Sequence, residues 1–64
     1  MEGKINNILK QMQDTLTLAI IDGEKFEKGN NAAGTRVRKF MQELKSMAQN
    51  VRVMVSDIKN EDKE

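Results

Sequence analysis

A seven-residue repeat in the second half of the chain most narrows the folds that this sequence can adopt. Three columns of apolar residues recur at this interval: Val37, Leu44, Val51 and Ile58; Phe40, Met47 and Met54; and Met41, Ala48 and Val55. Apolar residues at heptad spacing occupy one face of an α-helix. Because the face is three columns wide, the repeat predicts a bundle helix over about residues 31–60 rather than a narrow two-stranded coiled coil.

An apolar stripe in the first half predicts another long helix, over about residues 4–28. Its members fall at helical spacing: Ile5, Ile8, Leu9, Met12, Leu16, Ala19, Ile20 and Phe26. Gly23 lies on this stripe, where a glycine either weakens the helix or lets another backbone come close. The sequence leaves both explanations of Gly23 open.

Residues 29–31 are predicted to form a short turn between the two helices. Gly29 suits the left-handed conformation that follows a helix end. Asn30 or Asn31 suits the next N-cap, because its side-chain oxygen can accept a bond from a free backbone N–H. A short connection makes the two helices antiparallel. We therefore predict one all-α domain over residues 1–64, an antiparallel helical hairpin with a frayed acidic tail at 61–64.

The chain is small for a fold of this kind, with 64 residues and no Cys or His. Below roughly 70–80 residues a single core rarely supplies more than about 3–5 kcal/mol. No disulfide framework or Cys/His zinc site is available to add to it. Two helices also bury a broad apolar face poorly, so we expect self-association, most simply of two hairpins into a four-helix bundle.

The residue inventory argues against an enzyme, a metal site and a bound cofactor. Without His or Cys, any general base would be a carboxylate or a lysine. We interpret the acidic residues as a solvated helix face and a solubilising tail: Asp22, Glu24 and Glu27, and Asp57, Glu61, Asp62 and Glu64. No glycine-rich phosphate loop, transmembrane run or signal-peptide core is apparent. We expect a cytoplasmic protein with no membrane partner.

Charge is distributed unevenly, although the net charge is only +1. Residues 1–28 hold four Lys against five acids, a net charge of −1. Residues 29–56 hold five basic residues against Glu43 alone, a net charge of +4, and residues 57–64 hold two Lys against four acids. Four basic residues recur every seven positions, about 10.5 Å apart along one helix face. We call this set the basic column: Arg38, Lys45, Arg52 and Lys59.

The basic column has two interpretations. It would follow a DNA phosphate backbone, together with nearby polar groups: Gln42, Gln49 and Ser56 beside it, and Thr35, Arg36 and Lys39 near the start of the helix. Alternatively it is a solvated face or pairs with acids of a neighbouring helix, as basic residues beside bundle seams often do. Phe26 and Phe40, the two aromatic residues, lie on core stripes, so base stacking is largely unavailable. Any nucleic acid bound should therefore be duplex, read without sequence preference.

The segment from Phe26 to Lys39, FEKGNNAAGTRVRK, followed by Gln42-Glu43-Leu44-Lys45, resembles the small bacterial linker-histone-like proteins. Members of that family carry a stretch close to G-N-K-A-A-G-T-R-A-R-K between a helical N-terminal part and a Lys-rich helix. The matching residues here are Gly29, Asn30, Ala32, Ala33, Gly34, Thr35, Arg36, Arg38 and Lys39. The resemblance implies a nucleoid-associated protein that coats or compacts DNA, with Thr35, Arg36, Arg38, Lys39 and Lys45 as candidates for backbone contacts.

Residues and resemblance together give seven candidate DNA-contacting residues: Thr35, Arg36, Arg38, Lys39, Lys45, Arg52 and Lys59. The expected partners are double-stranded DNA and a second copy of the chain. The alternative is a structural helical module that self-assembles or docks on a larger assembly, such as a phage particle, without binding DNA. The five Met residues, which adapt well to apolar interfaces, favour that alternative.

The motif at the start of the second helix also has a purely structural interpretation. The small residues Ala32, Ala33 and Gly34 would permit close packing against the end of the first helix. Arg36 would then pair with Glu27 or Glu24 across the turn.

Overall fold

A computed structural model describes residues 3–62, and in it the chain folds into two α-helices. The first, α1, spans Lys4–Glu27, and the second, α2, spans Asn31–Asp62. The two helices pack against each other as an antiparallel hairpin, which confirms the predicted all-α fold. α2 continues two residues past the expected end at residue 60, and residues 63 and 64 of the expected tail lie outside the described residues.

The turn is built as the glycine and asparagine residues predict. Gly29 has φ +105°, in the left-handed region, and its N–H donates to the Phe26 carbonyl at 2.9 Å. The N–H of Asn30 donates to the Lys25 carbonyl at 3.0 Å, which completes a Schellman motif at the end of α1. Asn30 then caps α2, because its Oδ1 accepts a bond from the Ala33 N–H at 3.2 Å.

The most deeply buried residues lie close to this turn. Ala19 and Ala33 are 5% and 0% exposed, and Asp22 is 7% exposed. Further along the hairpin the packing surface is only half-buried, through Ile8 and Met12 of α1 and side chains such as Leu44 of α2. Among the described residues no large side chain is fully buried. The hairpin is therefore packed closely at one end and loosely along the rest of its length.

Of the three apolar columns of α2, two face α1 along most of their length and the third lies at the edge. Phe40, Leu44 and Met47 are half-buried, whereas Met41 and Val55 of the third column are 42% and 41% exposed. α2 has 32 residues against 24 in α1, so it extends about 12 Å further. The side chains from Val55 to residue 60 are all exposed in this extension.

Gly23 lies within α1, and the structure decides between its two explanations. A Cβ atom built at Gly23 would meet nothing within 4 Å. No neighbouring backbone therefore requires a glycine at this position. Gly23 lowers the helical propensity of α1 without a compensating contact.

Candidate nucleic-acid interface

The basic column lies on α2 with all four side chains exposed. Seven residues advance an α-helix by about 20° less than two full turns, so the column drifts slowly around the helix axis. Lys45 shares a shallow polar cleft with four neighbours: Gln42, Ser46, Gln49 and Asn50. Both amides expected beside the column, Gln42 and Gln49, thus lie next to Lys45. This side of α2 presents fixed positive charges together with groups that can hydrogen-bond.

The basic column forms no ion pair with the side chains of residues 3–60. Among the side chains of residues 3–60, the one ion pair joins Arg36 to Asp22, with 3.1 Å between Nη2 and Oδ1. The column therefore does not serve to pair with acids of α1 in the single chain.

Arg36 is turned away from the basic column. Arg36 precedes Arg38 by two residues, which places the two side chains about 160° apart around α2. Its side chain is 47% exposed, whereas the Asp22 side chain that it contacts is only 10% exposed. The partner of Arg36 is thus Asp22, and the expected pairing with Glu27 or Glu24 is wrong. The reason is that Asp22 follows Ala19 by three residues and so lies on the face of α1 that packs against α2.

Asp22 also corrects the interpretation of the acidic cluster. Glu24 and Glu27 are exposed, as a solvated face requires, but Asp22 is buried. Buried carboxylates need a charged or hydrogen-bonding partner, and Arg36 provides it. The signal in the sequence was the spacing of Asp22 from Ala19, which places an acid on the packing face.

The remaining two predicted contacts, Thr35 and Lys39, are both exposed. Thr35 lines a groove at the turn end of the hairpin together with Arg38, Phe26 and Gly34. Lys39 lies about 100° around the helix from Arg38, towards the side of Arg36. Around α2, Thr35 lies about 60° from Arg38 and about 40° from Lys39. The seven predicted residues therefore form an arc, with the basic column at one edge, Thr35 and Lys39 in the middle and Arg36 at the other edge.

Phe26 does not occupy the core position that its place on the apolar stripe predicts. It is 50% exposed, and its ring lies over Gly34, so that a Cβ atom at Gly34 would come within 2.6 Å of the ring Cδ1. Phe40 is half-buried, in agreement with its column. One aromatic ring is therefore accessible beside Thr35 and Arg38.

The small residues of the motif also differ in burial: two serve the packing of the hairpin and one is exposed. Ala33 is fully buried against α1, and Gly34 leaves room for the Phe26 ring, so both serve the packing of the hairpin. Ala32 is exposed. The structural interpretation of the motif thus holds for Ala33, Gly34 and Arg36, while Thr35, Arg38 and Lys39 remain open to solvent.

These features define a class: a small all-α hairpin with one exposed cationic helix side. A family model described as Histone H1-like protein Hc1 matches residues 6–61, and the chain belongs to this family. The match confirms the resemblance to linker-histone-like proteins and supports DNA binding and nucleoid packaging in general. The family is typically non-enzymatic. Searches among curated proteins and among solved structures found no match.

The family match gives no support to the alternative of a structural module without DNA binding, or to a phage assembly. As far as the described residues are concerned, neither α1 nor α2 is long and apolar enough to cross a membrane.

Proposed function

We propose that the chain binds double-stranded DNA without sequence preference and packages it in the nucleoid of the cytoplasm. The observation that carries this proposal is the basic column, four exposed cations at one-heptad intervals on one side of α2. Family membership supports DNA binding in general terms, and the basic column supplies the chemistry for phosphate contacts. Thr35 and Lys39 are proposed as auxiliary contacts. Arg36 is assigned to the hairpin itself, because Asp22 holds its guanidinium.

The spacing of the basic column suits a phosphate backbone. Guanidinium and ammonium groups form charge-assisted hydrogen bonds with phosphate oxygens. From Arg38 to Lys59 the column extends about 32 Å, which corresponds to roughly nine base pairs of duplex at about 3.4 Å each. Contacts of this kind fix the protein on the duplex but carry no sequence information. The expected activity is therefore uniform coating rather than site recognition.

Fluorescence anisotropy against two unrelated duplexes tests the proposal. Both should bind with equal affinity at each salt concentration. If four phosphates are neutralised per chain, affinity should fall by roughly two decades between 50 and 200 mM salt. Salt-independent binding would contradict phosphate contacts, and a tenfold preference for one duplex would contradict non-specific binding.

Charge reversal locates the binding surface. Arg38→Glu with Arg52→Glu should abolish binding at physiological salt and leave helicity by circular dichroism unchanged, since both side chains are exposed. Lys4→Glu with Lys10→Glu is the matched control, because it makes the same change in net charge at exposed positions of α1. Equal losses in the two double variants would mean that net charge, and not the basic column, drives binding. Loss of helicity in the first would make the two arginines structural.

A further inference from the structure

The ring of Phe26 is held in a fixed place at the turn end of the hairpin, yet half of its surface is open. Its backbone belongs to the last turn of α1, where the Phe26 carbonyl accepts the Gly29 N–H of the Schellman motif at 2.9 Å. Its ring lies against Gly34 of α2, where a Cβ atom would come within 2.6 Å of Cδ1 and 2.7 Å of Cε1. Phe26 is nevertheless 50% exposed. The ring is therefore oriented by both helices and fully covered by neither.

The ring lies beside the first member of the basic column. Gly34 precedes Arg38 by four residues, and residues at this interval are neighbours on a helix surface. Phe26 and Arg38 also line the same groove at the turn end, which we call the turn groove. Because Arg38 begins the basic column, the turn groove continues the column towards the turn. A duplex held on the column by its phosphates therefore passes close to the Phe26 ring.

The lining of the turn groove suits a nucleobase better than a phosphate. Its volume is about 530 Å³, within the range of small-molecule sites. Phe26 and Val37 give it apolar walls, and Asn31 and Thr35 add groups that can hydrogen-bond. Glu27 also lines the groove, and its negative charge disfavours a phosphate there. A nucleobase is uncharged, with apolar faces that stack and polar edges that hydrogen-bond.

The magnitudes of stacking and unstacking decide which bases the ring can reach. Stacking on an aromatic side chain strengthens binding by roughly 5- to 150-fold per base. In an intact duplex each base is already stacked on its neighbours, and separating one base step costs about as much as the new contact returns. An unpaired base avoids most of this cost. The balance therefore favours unpaired bases over intact base steps.

We propose that the Phe26 ring stacks on an unpaired base, so that the chain prefers a duplex with a single-base bulge to an intact duplex. This inference rests on the proposed function, because the basic column must hold the flanking duplex. The preference depends on the presence of an unpaired base and not on its identity, since every base has a π-face. It is thus compatible with binding that has no sequence preference. The sequence alone predicts no such contact, because it places Phe26 in the core.

Three duplexes of one sequence test the preference by fluorescence anisotropy: an intact duplex, a single-base bulge, and the same bulge with an abasic residue. The abasic bulge keeps the phosphates and much of the flexibility of the bulge but lacks the base that stacks. The bulge with a base should bind about tenfold more tightly than the abasic bulge. This ratio should stay constant between 50 and 200 mM salt while both affinities fall, because the two bulged duplexes carry the same phosphates.

The two phenylalanines give a matched pair of variants. Phe26→Leu keeps an apolar side chain against Gly34 but removes the aromatic face. It should abolish the preference for the base over the abasic bulge and leave the affinity for the intact duplex nearly unchanged. Phe40→Leu makes the same change at a half-buried ring and should keep the preference, with circular dichroism confirming that both variants are helical. Equal loss of the preference in the two variants would overturn the assignment to Phe26.

A fluorescent variant gives a readout that does not depend on removing the ring. The sequence has no Trp or Tyr, so Phe26→Trp places a single fluorophore at the site and keeps an aromatic face. Its emission should be quenched when the bulge with a base binds and should change little with the abasic bulge. Emission that responds equally to the two bulges would overturn the stacking contact.

Failure of this inference is distinguishable from failure of the proposed function. If the wild-type chain binds no duplex at low salt, the proposed function fails, and the stacking contact fails with it. If the chain binds the intact and the bulged duplexes alike, or prefers both bulges equally, the stacking contact fails and the proposed function stands. In the second case the preference would report the flexibility of the duplex rather than its unpaired base.

Discussion

The turn end and the open end of the hairpin are held together by different means. At the turn end, Ala19 and Ala33 are buried, Asp22 is paired with Arg36, and Asn30 caps α2. At the open end, the apolar side chains of both helices are half-buried or exposed, and α2 extends past α1. The turn end is thus specified by contacts within one chain, whereas the open end leaves apolar surface exposed.

This difference shows that contacts near the turn stabilise the hairpin, while most of α2 remains exposed. Short-range features such as the Schellman motif and the helix cap fix the angle and register of the helices without a large core. The rest of α2 is then available as a surface, and the basic column lies on it. The family match covers both regions, residues 6–61, so the division applies within one family unit.

The largest effect is expected at Leu44, where the two regions join. Leu44 is half-buried on α2 and lines a groove between the two helices together with Leu9 and Met12 of α1. Leu44→Asp should destabilise the hairpin by at least about 3 kcal/mol, because a charge replaces a packed apolar side chain. That is comparable to the whole stability of a domain of this size, so helical circular dichroism should be lost.

Val53 provides the control for Leu44. It is 47% exposed and lies outside the three apolar columns. Val53→Asp should leave the circular dichroism spectrum and the melting temperature nearly unchanged. A Leu44→Asp chain that keeps its helices would show that the middle of the hairpin contributes little and that the turn end alone holds the fold.

A smaller effect is expected from the ion pair at the turn end, and it should be asymmetric. Removing the arginine leaves Asp22 buried without a partner, so Arg36→Met should cost about 2 kcal/mol. Asp22→Asn keeps a hydrogen-bond acceptor and leaves Arg36 half in solvent, so it should cost less than about 1 kcal/mol. Urea unfolding of the two variants measures the difference. Equal losses would mean that Asp22 is not effectively desolvated.

The same arginine distinguishes structural from DNA-binding cations. Arg36→Met should leave the slope of log affinity against log salt concentration unchanged. Arg38→Met should reduce the magnitude of this slope by about one, because one phosphate contact is lost. The reverse result would assign Arg36 to the DNA interface, as the sequence motif alone suggested.

The sequence alone predicts the two helices, the turn between them and the alignment of cations along one side of α2. The heptad repeat predicts which face of α2 is apolar, and Gly29 and Asn30 predict a turn through their backbone and capping chemistry. Periodicity also places Arg38 and Lys45 on one side, because a seven-residue interval returns to nearly the same angle on any α-helix.

The sequence could not decide how α1 is rotated against α2. The rotation depends on the small residues Ala19 and Ala33, whose burial becomes apparent only when the two helices are brought together. For that reason the sequence predicts the wrong acidic partner for Arg36. It also predicts a core position for Phe26, although half of the surface of this residue is exposed. Both errors concern contacts between the helices, where one sequence admits several registers.

The smallest effect concerns two glycines in helices, and it should differ between them. Gly23 has open space where a Cβ would lie, whereas a Cβ at Gly34 would come within 2.6 Å of the Phe26 ring. Gly23→Ala should stabilise the hairpin by about 1 kcal/mol through helix propensity, raising the melting temperature by about 4–8 °C. Gly34→Ala gains the same propensity but must displace the Phe26 ring, so it should give no net gain.

A double-mutant cycle isolates the contact between Phe26 and Gly34. In a Phe26→Ala background nothing obstructs the new methyl group, so Gly34→Ala should then stabilise the hairpin about as much as Gly23→Ala does in the wild-type chain. Thermal unfolding of the four chains of the cycle measures this coupling. If Gly34→Ala already stabilises the wild-type chain fully, the ring moves aside without loss, and the turn end is less tightly specified than its buried alanines indicate.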